Sequence, residues 1–464
     1  MLWIKLTAAL VFPTLAGFLL VSLLNARRDQ SLAEKIFIGY GMGFGILSLG
    51  LFCQGAFGIP YSFQATLVLL GVTLAILLIL NFLYRGSHEN TVKNPSEKRD
   101  MYANILIILL IAWIAFRVSI VLYEGFNRPV MSQDSWWNRS AKLFYYNQGL
   151  MIDDPADEHF FGKGYRVILG YPLLTFMHQI WISEFLGEFH ESLMKAWAPL
   201  YLISVFGLIF TAIKKEGGLL AGLIAVFFVS AAPLLIFHSF EAYSDLALSY
   251  NVLAGSILLF RYMEHDEMNL LPLSGLFFAM AGFTKSDGMI HLLSAGLALL
   301  AFNVIEKKYK WKGLIYFGLP ALLYLLPWFI FKSHYGLGFG HGYGTGIGGA
   351  DESGALMWSP TFHFEVWPVF FRELFLSVDH GLIFAFLALV SVLGFKTLLN
   401  TNIKYLFLII VLAISGYLFV YTATFDFEFV LNRMATNRNL LSVTPLAFFV
   451  AGYITVKSLK KNSD

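Results

Sequence analysis

Long apolar runs separated by polar loops recur from one end of the chain to the other. Most hold about 20 residues, the length that an α-helix needs to cross a hydrocarbon core roughly 30 Å thick. The pattern predicts an all-α integral membrane protein, a bundle of about 13 transmembrane helices whose extracytoplasmic loops carry short helices. The predicted spans are residues 3–24, 36–57, 64–84, 101–123, 192–212, 217–237, 244–260, 270–284, 288–305, 314–333, 380–395, 405–423 and 439–456.

Composition supports this fold class. Of 464 residues, 58% are hydrophobic and only 13% are charged, whereas soluble domains carry roughly 25% charged residues. The net charge of +2 gives no sign of a nucleic-acid partner. Cys53 is the single cysteine, so an intrachain disulfide is excluded.

Lysine and arginine predict which loops face the cytoplasm. One alternating set of loops holds 19 of the 32 basic residues, and the positive-inside rule makes that set cytoplasmic. Counting the apolar run 167–185 as a span would move Lys214 and Lys215 outside, so we interpret that run as re-entrant or interfacial. The N-terminus is then predicted outside and the C-terminus inside. The cytoplasmic set is 25–35, 85–100, 213–216, 261–269, 306–313, 396–404 and the tail from 457.

The predicted spans are nearly free of charge, and ionisable residues gather in the outer loops. A transporter usually keeps its polar residues near the membrane midplane, so this asymmetry favours an enzyme working at the outer interface. The predicted units are an N-terminal three-helix membrane segment (1–100), a catalytic membrane region (101–456) with outer loops 124–191 and Gly-rich 334–379, and a cytoplasmic tail (457–464).

The first large outer loop offers a candidate general base. Asp134 is flanked by tryptophans and by Arg139 and Lys142, and an acid in such surroundings could accept a proton from an attacking hydroxyl. A solvated loop acid is the alternative interpretation.

A metal requirement has little support in the sequence. The histidines form no HExxH or clustered pattern, and paired cysteines are lacking. Four acids after the first loop helix could bind a divalent cation through oxygen ligands or form a plain solvated turn. We therefore expect no required cofactor and leave a divalent cation possible. These acids are Asp153, Asp154, Asp157 and Glu158.

Glu241 and Asp245 stand four residues apart at the predicted outer end of a span. On a helix they would share one face. Asp245 also suits the first turn of the helix that follows, where the helix dipole favours an acid.

Basic residues at two further outer positions could bind phosphate. Lys285 and Asp287 interrupt two short apolar segments, a place where charge is costly unless it is paired or functional. Arg433 and Arg438 precede the last span, and arginine binds phosphate in a bidentate manner. An internal Lys285–Asp287 pair and ordinary interfacial snorkelling of the arginines are the alternatives.

Four motifs, in order, resemble the GT-C superfamily of polytopic glycosyltransferases, which includes protein O-mannosyltransferases and lipid A aminoarabinose transferases. They are DSWWNRSAKLFYYNQG with GYPLL downstream, AYSDLALSYNVLAG, FTKSDG and NRNLLSVTP, within residues 100–450. Gly170, Asp287 and Asn437 depart from the family pattern. Asp134 is followed by Ser135 instead of the second acid found in protein mannosyltransferases, which argues against that substrate class.

The resemblance implies a hexosyl or pentosyl transferase with a polyprenyl-phosphate sugar donor, working in the bacterial cytoplasmic membrane with its site outside. The acceptor would be an extracytoplasmic glycan, lipid or protein. Asp134 would take the acceptor's proton. Lys285 and Arg438, with Arg433 or Arg139, would stabilise charge on the departing phosphate.

Three alternatives remain open from the sequence. An envelope polysaccharide polymerase or ligase would use a diphosphate-linked donor. A lipid-linked glycan transporter or flippase would need a polar path at midplane, whereas the basic residues inside spans, Lys5, Arg117 and Lys195, lie towards outer ends. A structural scaffold would leave the outer charge clusters unexplained.

Overall fold

The computed structural model describes residues 1–24, 31–83, 101–130, 135–152, 156–157, 165–166, 169–337, 359, 361–424, 426–433 and 435–461. This part of the chain is almost entirely helical. Its α-helices are α1 Leu2–Leu24, α2 Leu32–Ala56, α3 Phe63–Leu83, α4 Met101–Asn127, α5 Ser135–Tyr146, α6 Leu174–Leu186, α7 Trp197–Ser230, α8 Pro233–His238, α9 Asp245–His265, α10 Leu270–Thr284, α11 Gly288–Ile305, α12 Trp311–His334, α13 Val366–Leu376, α14 Ile383–Leu393, α15 Phe395–Asn400, α16 Ile403–Ala423, α17 Phe427–Leu431, α18 Thr436–Leu441 and α19 Thr444–Lys461.

Short elements complete the fold. The 3₁₀ turns Leu193–Lys195 and Val378–His380 precede α7 and α14. Strands β1 (Ala156–Asp157) and β2 (Tyr165–Arg166) pair antiparallel, with Ala156 opposite Arg166.

Nine helices within the described ranges are long and apolar enough to cross a membrane, or ten if a bent pair forms one span. They differ in how much of their surface the bundle covers. In α3 and α4 only 17% of the most apolar stretch is buried, whereas in α9 94% is buried. Apolar side chains left outside a bundle in this way match a hydrocarbon solvent, so the chain is a multi-pass membrane protein.

The predicted count of thirteen spans is not confirmed, although each predicted segment contains a helix. The segment 270–284 forms α10, only 15 residues long. The segment 380–395 forms part of the bent pair. The segment 439–456 overlaps α19, which ends in a lysine-rich turn, Lys457 to Lys461. The segments 192–212 and 217–237 fall largely in the single stretch α7.

A reversal at Gly218 divides α7 into two arms. Gly218 has non-helical angles, φ 81° and ψ −178°. A Cβ on Gly222 would lie 3.0 Å from the backbone oxygen of Phe210, whereas twelve residues of straight helix would separate these positions by roughly 18 Å. The two arms therefore fold back on each other, as two separate predicted spans require.

The two predicted sets of loops lie at opposite ends of the bundle. At one end, the buried Glu34 at the start of α2 is bonded to Arg261 at the end of α9 and lies 3.4 Å from Lys215. At the other end, the Lys195 ammonium donates to the carbonyl of Gly125 at 3.0 Å. Which end faces the cytoplasm remains a prediction from the positive-inside rule.

Helix α6 occupies the run interpreted as re-entrant or interfacial. All 13 of its residues are buried, and its length of roughly 20 Å is too short to cross the hydrocarbon core. Its last carbonyl, on Leu186, accepts from the Lys5 ammonium at 2.9 Å. The Tyr61 hydroxyl, in the predicted outer loop after α2, lies 3.7 Å from the sulfur of Met177.

Glycines bring α1 and α2 into backbone contact. A Cβ on Gly43 would lie 1.7 Å from the carbonyl oxygen of Pro13, and one on Gly17 would lie 1.9 Å from that of Gly39. Small residues at such spacing let membrane helices approach closely and gain van der Waals packing.

The Gly43→Leu substitution should therefore force α1 and α2 apart. We expect a loss of stability of about 1–3 kcal/mol or more, measured as a lowered thermal midpoint of the detergent-solubilised protein. Gly71→Leu on α3 is the matched control, since nothing lies within 4 Å of that position. Equal midpoints for the two variants would contradict the close packing.

Candidate active site

Asp245 is buried as the first residue of α9. It lies at the end of the bundle that carries the predicted outer loops, which we call the site end. The chain leaves helical geometry after α8, and Ser244 is the N-cap residue before Asp245. An acid in the first turn is favoured by the helix dipole. Its carboxylate accepts from Arg438 Nη2 at 2.7 Å and Nε at 3.3 Å, and from Lys285 Nζ at 3.1 Å.

Lys285 stands where α10 ends, with extended backbone angles. Its ammonium contacts Asp245 at 3.1 Å, Asp287 at 2.9 Å and the Asn439 side-chain oxygen at 2.7 Å. A lysine ammonium has three donors, so these contacts can engage all of them. Burial opposes the charged form, but the carboxylates of Asp245 and Asp287 hold the pKa of Lys285 well above its ordinary value.

Arg438, on α18, lies between the buried aspartate and two aromatic rings. Its guanidinium carbon is 4.3 Å from the Tyr243 ring centroid and 4.9 Å from that of Trp137. The side chain remains 27% exposed, and no residue in the described ranges accepts a hydrogen bond from its Nη1. Arg438 is thus the cluster's cation with donor capacity left for a ligand.

Several polar residues that the sequence did not single out hold this cluster in place. The Asn439 amide nitrogen donates to the Tyr421 hydroxyl at 2.6 Å, while its oxygen binds Lys285. The buried His238 places Nδ1 at 3.7 Å from Asp245. Asn439 stands beside Arg438 in the NRN motif and could have been suspected, whereas Tyr421 carries no sequence signal.

Asp426 adds a third carboxylate to this end of the bundle. It follows α16 in a turn where its amide donates to the Thr424 hydroxyl at 3.2 Å. Burial, and then the charge of Asp287, raises the pKa of Asp426 to about 6. This acid was also missed in the sequence, because an isolated aspartate near a span end has no distinctive pattern.

The four charged groups that contact one another in the cluster balance before any ligand binds, and Asp426 beside them adds negative charge when it is ionised. Two carboxylates, Asp245 and Asp287, face two cations, Lys285 and Arg438. Buried charges of this kind are tolerated only when they are paired and hydrogen-bonded. The arrangement can accept one further anionic group at the exposed edge of Arg438, where a planar guanidinium suits phosphate or carboxylate oxygens.

The fold of this chain is similar to that of a solved structure. It is the crystal structure of ArnT from Cupriavidus metallidurans bound to undecaprenyl phosphate, with a TM-score of 0.47 and 13% sequence identity. The similarity covers 76% of this chain and 60% of that chain, so this chain spans less than two thirds of the length of ArnT. No family model and no curated protein matches the sequence.

Other predicted site residues have different neighbours. Glu241 is buried in the turn before α9, outside any helix, so it does not share a helical face with Asp245; it lies 3.6 Å from Arg128. Lys142 of α5 binds Glu191.

Arg433 also lies outside the contacts that define the cluster. Arg433 adopts φ 55° and lies 3.8 Å from Glu373. Arg139 is half-buried on α5. Asp134 lies outside the described residues, as do the candidate cation ligands Asp153, Asp154 and Glu158.

A metal centre is not formed by the side chains that the structure describes. Among them, no group of three or more His, Cys, Asp and Glu residues is arranged to hold a metal ion. Whether the acidic turn in the first loop binds a cation stays a prediction.

Asp426 should make stability depend on pH in a defined window. The pKa of Asp426 is about 6 in the folded protein against an ordinary value of 3.8. The protonated carboxyl therefore contributes fully to the stability of the folded state below pH 3.8, and this contribution is lost as the pH rises through about 6. Asp426→Asn should therefore be more stable than the parent protein at about pH 7.5, by about 1–3 kcal/mol, and equal to it at about pH 4.

The measurement is the thermal midpoint of both proteins across this range. Glu428→Gln, an exposed neighbour on α17, should track the parent protein throughout. An offset for Asp426→Asn that is the same at both ends of the range would show that the carboxyl does not titrate as expected.

Proposed function

We propose that this protein is a membrane glycosyltransferase of the GT-C type. It would move a sugar from a polyprenyl-phosphate donor to an acceptor outside the cytoplasm. The lipid tail of the donor would remain in the bilayer while the phosphate binds at Arg438.

The observation that supports this most is the convergence of the four motifs on one charged cluster. Asp245 of AYSDLALSYN contacts Lys285 of FTKSDG and Arg438 of NRNLL, across 40 and 193 residues of sequence. Trp137 of the first motif places its ring 4.9 Å from the Arg438 guanidinium. A scaffold protein needs no such gathering of ionisable groups at one end of its helices.

Charge balance favours a monophosphate over a diphosphate. The cations are each countered by a carboxylate and Asp426 adds negative charge when ionised, so one added phosphate already leaves a net negative charge near Arg438. A diphosphate would bring about one more negative charge into a poorly solvated place, which needs a further cation or a metal. The proposal therefore keeps the divalent cation optional.

The proposed reaction is a direct displacement at the anomeric carbon. The acceptor hydroxyl oxygen bonds to that carbon as the bond from carbon to phosphate oxygen breaks, and polyprenyl phosphate departs. Asp134, three residues before Trp137 in the sequence, takes the hydroxyl proton. Arg438 stabilises the charge that develops on the leaving phosphate, with Lys285 holding the aspartate that orients it. Arg139, Lys142, Glu241, Asp245, Asp287 and Arg433 stay proposed as further substrate-binding residues.

Arg438→Gln should weaken binding of polyprenyl phosphate while leaving binding of the uncharged polyprenol unchanged. The loss of a hydrogen bond to a charged group, about 1.5–3 kcal/mol, corresponds to roughly 10- to 150-fold in affinity. Native mass spectrometry or a thermal-shift titration in detergent measures both lipids, with polyprenyl diphosphate as a third probe.

Arg438→Lys keeps the charge beside Asp245 and guards against misfolding of the glutamine variant. Lys404→Gln is the control, because its side chain pairs with Glu306 at the opposite end of the bundle. An unchanged affinity in both Arg438 variants would remove the proposed phosphate site, and tighter binding of the diphosphate would favour the polymerase or ligase alternative.

Asp134→Asn should abolish sugar transfer without affecting expression or polyprenyl-phosphate binding. A general base contributes about 10²- to 10⁴-fold to the rate. The assay uses radiolabelled polyprenyl-phosphate hexoses and pentoses with envelope glycans of the source cell as acceptors. Asp266→Asn, paired with Lys310 at the other end, should transfer normally. Unaltered transfer in Asp134→Asn would exclude this residue as the base.

A further inference from the structure

Helix α13 has two unlike faces. Val366, Phe370 and Leu374 are buried against the bundle. The adjoining face, one residue further round the helix, exposes Trp367 and Phe371, with 41% and 39% of their surface accessible. Large apolar side chains on an exposed helix face indicate a partner that covers them.

These side chains belong to a continuous row of aromatic rings that we name the aromatic ridge. Successive centroids lie 6.1, 5.6, 6.3 and 6.3 Å apart. Phe362 and Phe364, which precede the helix, are 63% and 59% exposed. The ridge consists of Phe362, Phe364, Trp367, Phe371 and Phe375.

The direction of α13 separates it from the helices that cross the bundle. The stretch Val366–His380 is bent by 105° from Ile383–Leu393, which is α14. Helix α14 exposes Leu389 and Val392, at 54% and 74%, to the surroundings of the bundle. That surface faces hydrocarbon in a multi-pass protein, and the bend means that α13 does not continue the direction of α14.

We propose that α13 is an interfacial helix whose aromatic ridge rests in the lipid leaflet at the site end of the bundle. Exposed apolar residues connect the ridge to α14 along the chain, which favours bilayer lipid as the partner of the ridge. They are Leu376, Val378 and Leu382. Aromatic side chains concentrate at the boundary between headgroups and acyl chains. The exposed Arg372, next to Phe371, is suited to headgroup phosphates in the same position.

The buried face of the same helix is linked to the charged cluster through two intermediate residues, Tyr421 and Asn439. Phe370 packs on Tyr421 with centroids 6.2 Å apart, and the Tyr421 hydroxyl accepts from Asn439, which holds Lys285. The Trp367 indole donates to the Thr422 hydroxyl at 3.0 Å. Seating of α13 in the leaflet therefore fixes the height of the cluster relative to the lipid headgroups. This inference does not depend on the proposed reaction.

Nitroxide depth measurements test the inference on the full chain in phosphatidylglycerol–phosphatidylethanolamine vesicles. The background is Cys53→Ala, since Cys53 is the single cysteine. Phe371→Cys carries the label, and Phe364→Cys provides a second position should the first fail to fold. Leu389→Cys on α14 and Glu428→Cys on α17 are the hydrocarbon and aqueous references, both exposed in the structure.

We expect the ratio of oxygen to nickel-chelate accessibility at 371 and 364 to fall between the two references, about 5–10 Å below the headgroup level. A ratio equal to that of 428 would place the ridge in water and overturn the proposal. A ratio equal to that of 389 would place it in the bilayer core, which also overturns it. Spin–spin broadening at 371 would show that a second copy of the chain covers the ridge instead.

Discussion

The buried Asp245 carboxylate, with Lys285 and Arg438 bonded to it, is the interaction on which the site end of the bundle depends. Each partner comes from a different segment: Asp245 begins α9, Lys285 follows the end of α10, and Arg438 lies on the short helix α18. Removing one member of such a buried group leaves an uncompensated charge, at a cost of about 3–5 kcal/mol. The cluster therefore joins three segments of the chain: α9, the break between α10 and α11, and α18. It also defines where the charge of a ligand can be accommodated.

The motifs suggest that Lys285 and Arg438 both bind phosphate directly, whereas the structure gives the two cations different contacts. As an exposed point charge Lys285 would bind phosphate directly, but its donors face Asp245, Asp287 and Asn439. Lys285 instead holds Asp245, the aspartate that accepts hydrogen bonds from the Arg438 guanidinium. Within the part of the chain that the structure describes, Arg438 keeps Nη1 without an acceptor, and two aromatic rings lie beside its guanidinium.

The sequence predicts most of the fold because a bilayer restricts the choice to helices of nearly fixed length. Hydropathy located the helices, and the alternation of loops along the chain placed the two predicted sets at opposite ends of the bundle. The number of spans was harder to predict. Periodicity does not show that α7 reverses at Gly218 or that the helices after Val366 form a bent pair. Asp245, Lys285, Asp287 and Arg438 were anticipated as neighbours from their common side. The sequence could not show that Glu241 and Asp245 have different partners. Glu241 pairs with Arg128 because it lies in a turn, and no local sequence pattern specifies that turn.

The orientation of α13 follows from a balance between two environments. Its buried residues pack against the site, and its exposed aromatic ridge has too much apolar surface to remain in water. A bend of 105° into α14 satisfies both, because it lets one short helix pack on Tyr421 beside the charged cluster while its exposed ridge meets lipid. A cluster of paired charges beside such a helix lies where hydrocarbon gives way to water. At that depth, a molecule with an apolar tail and an anionic head can reach Arg438 without leaving the membrane.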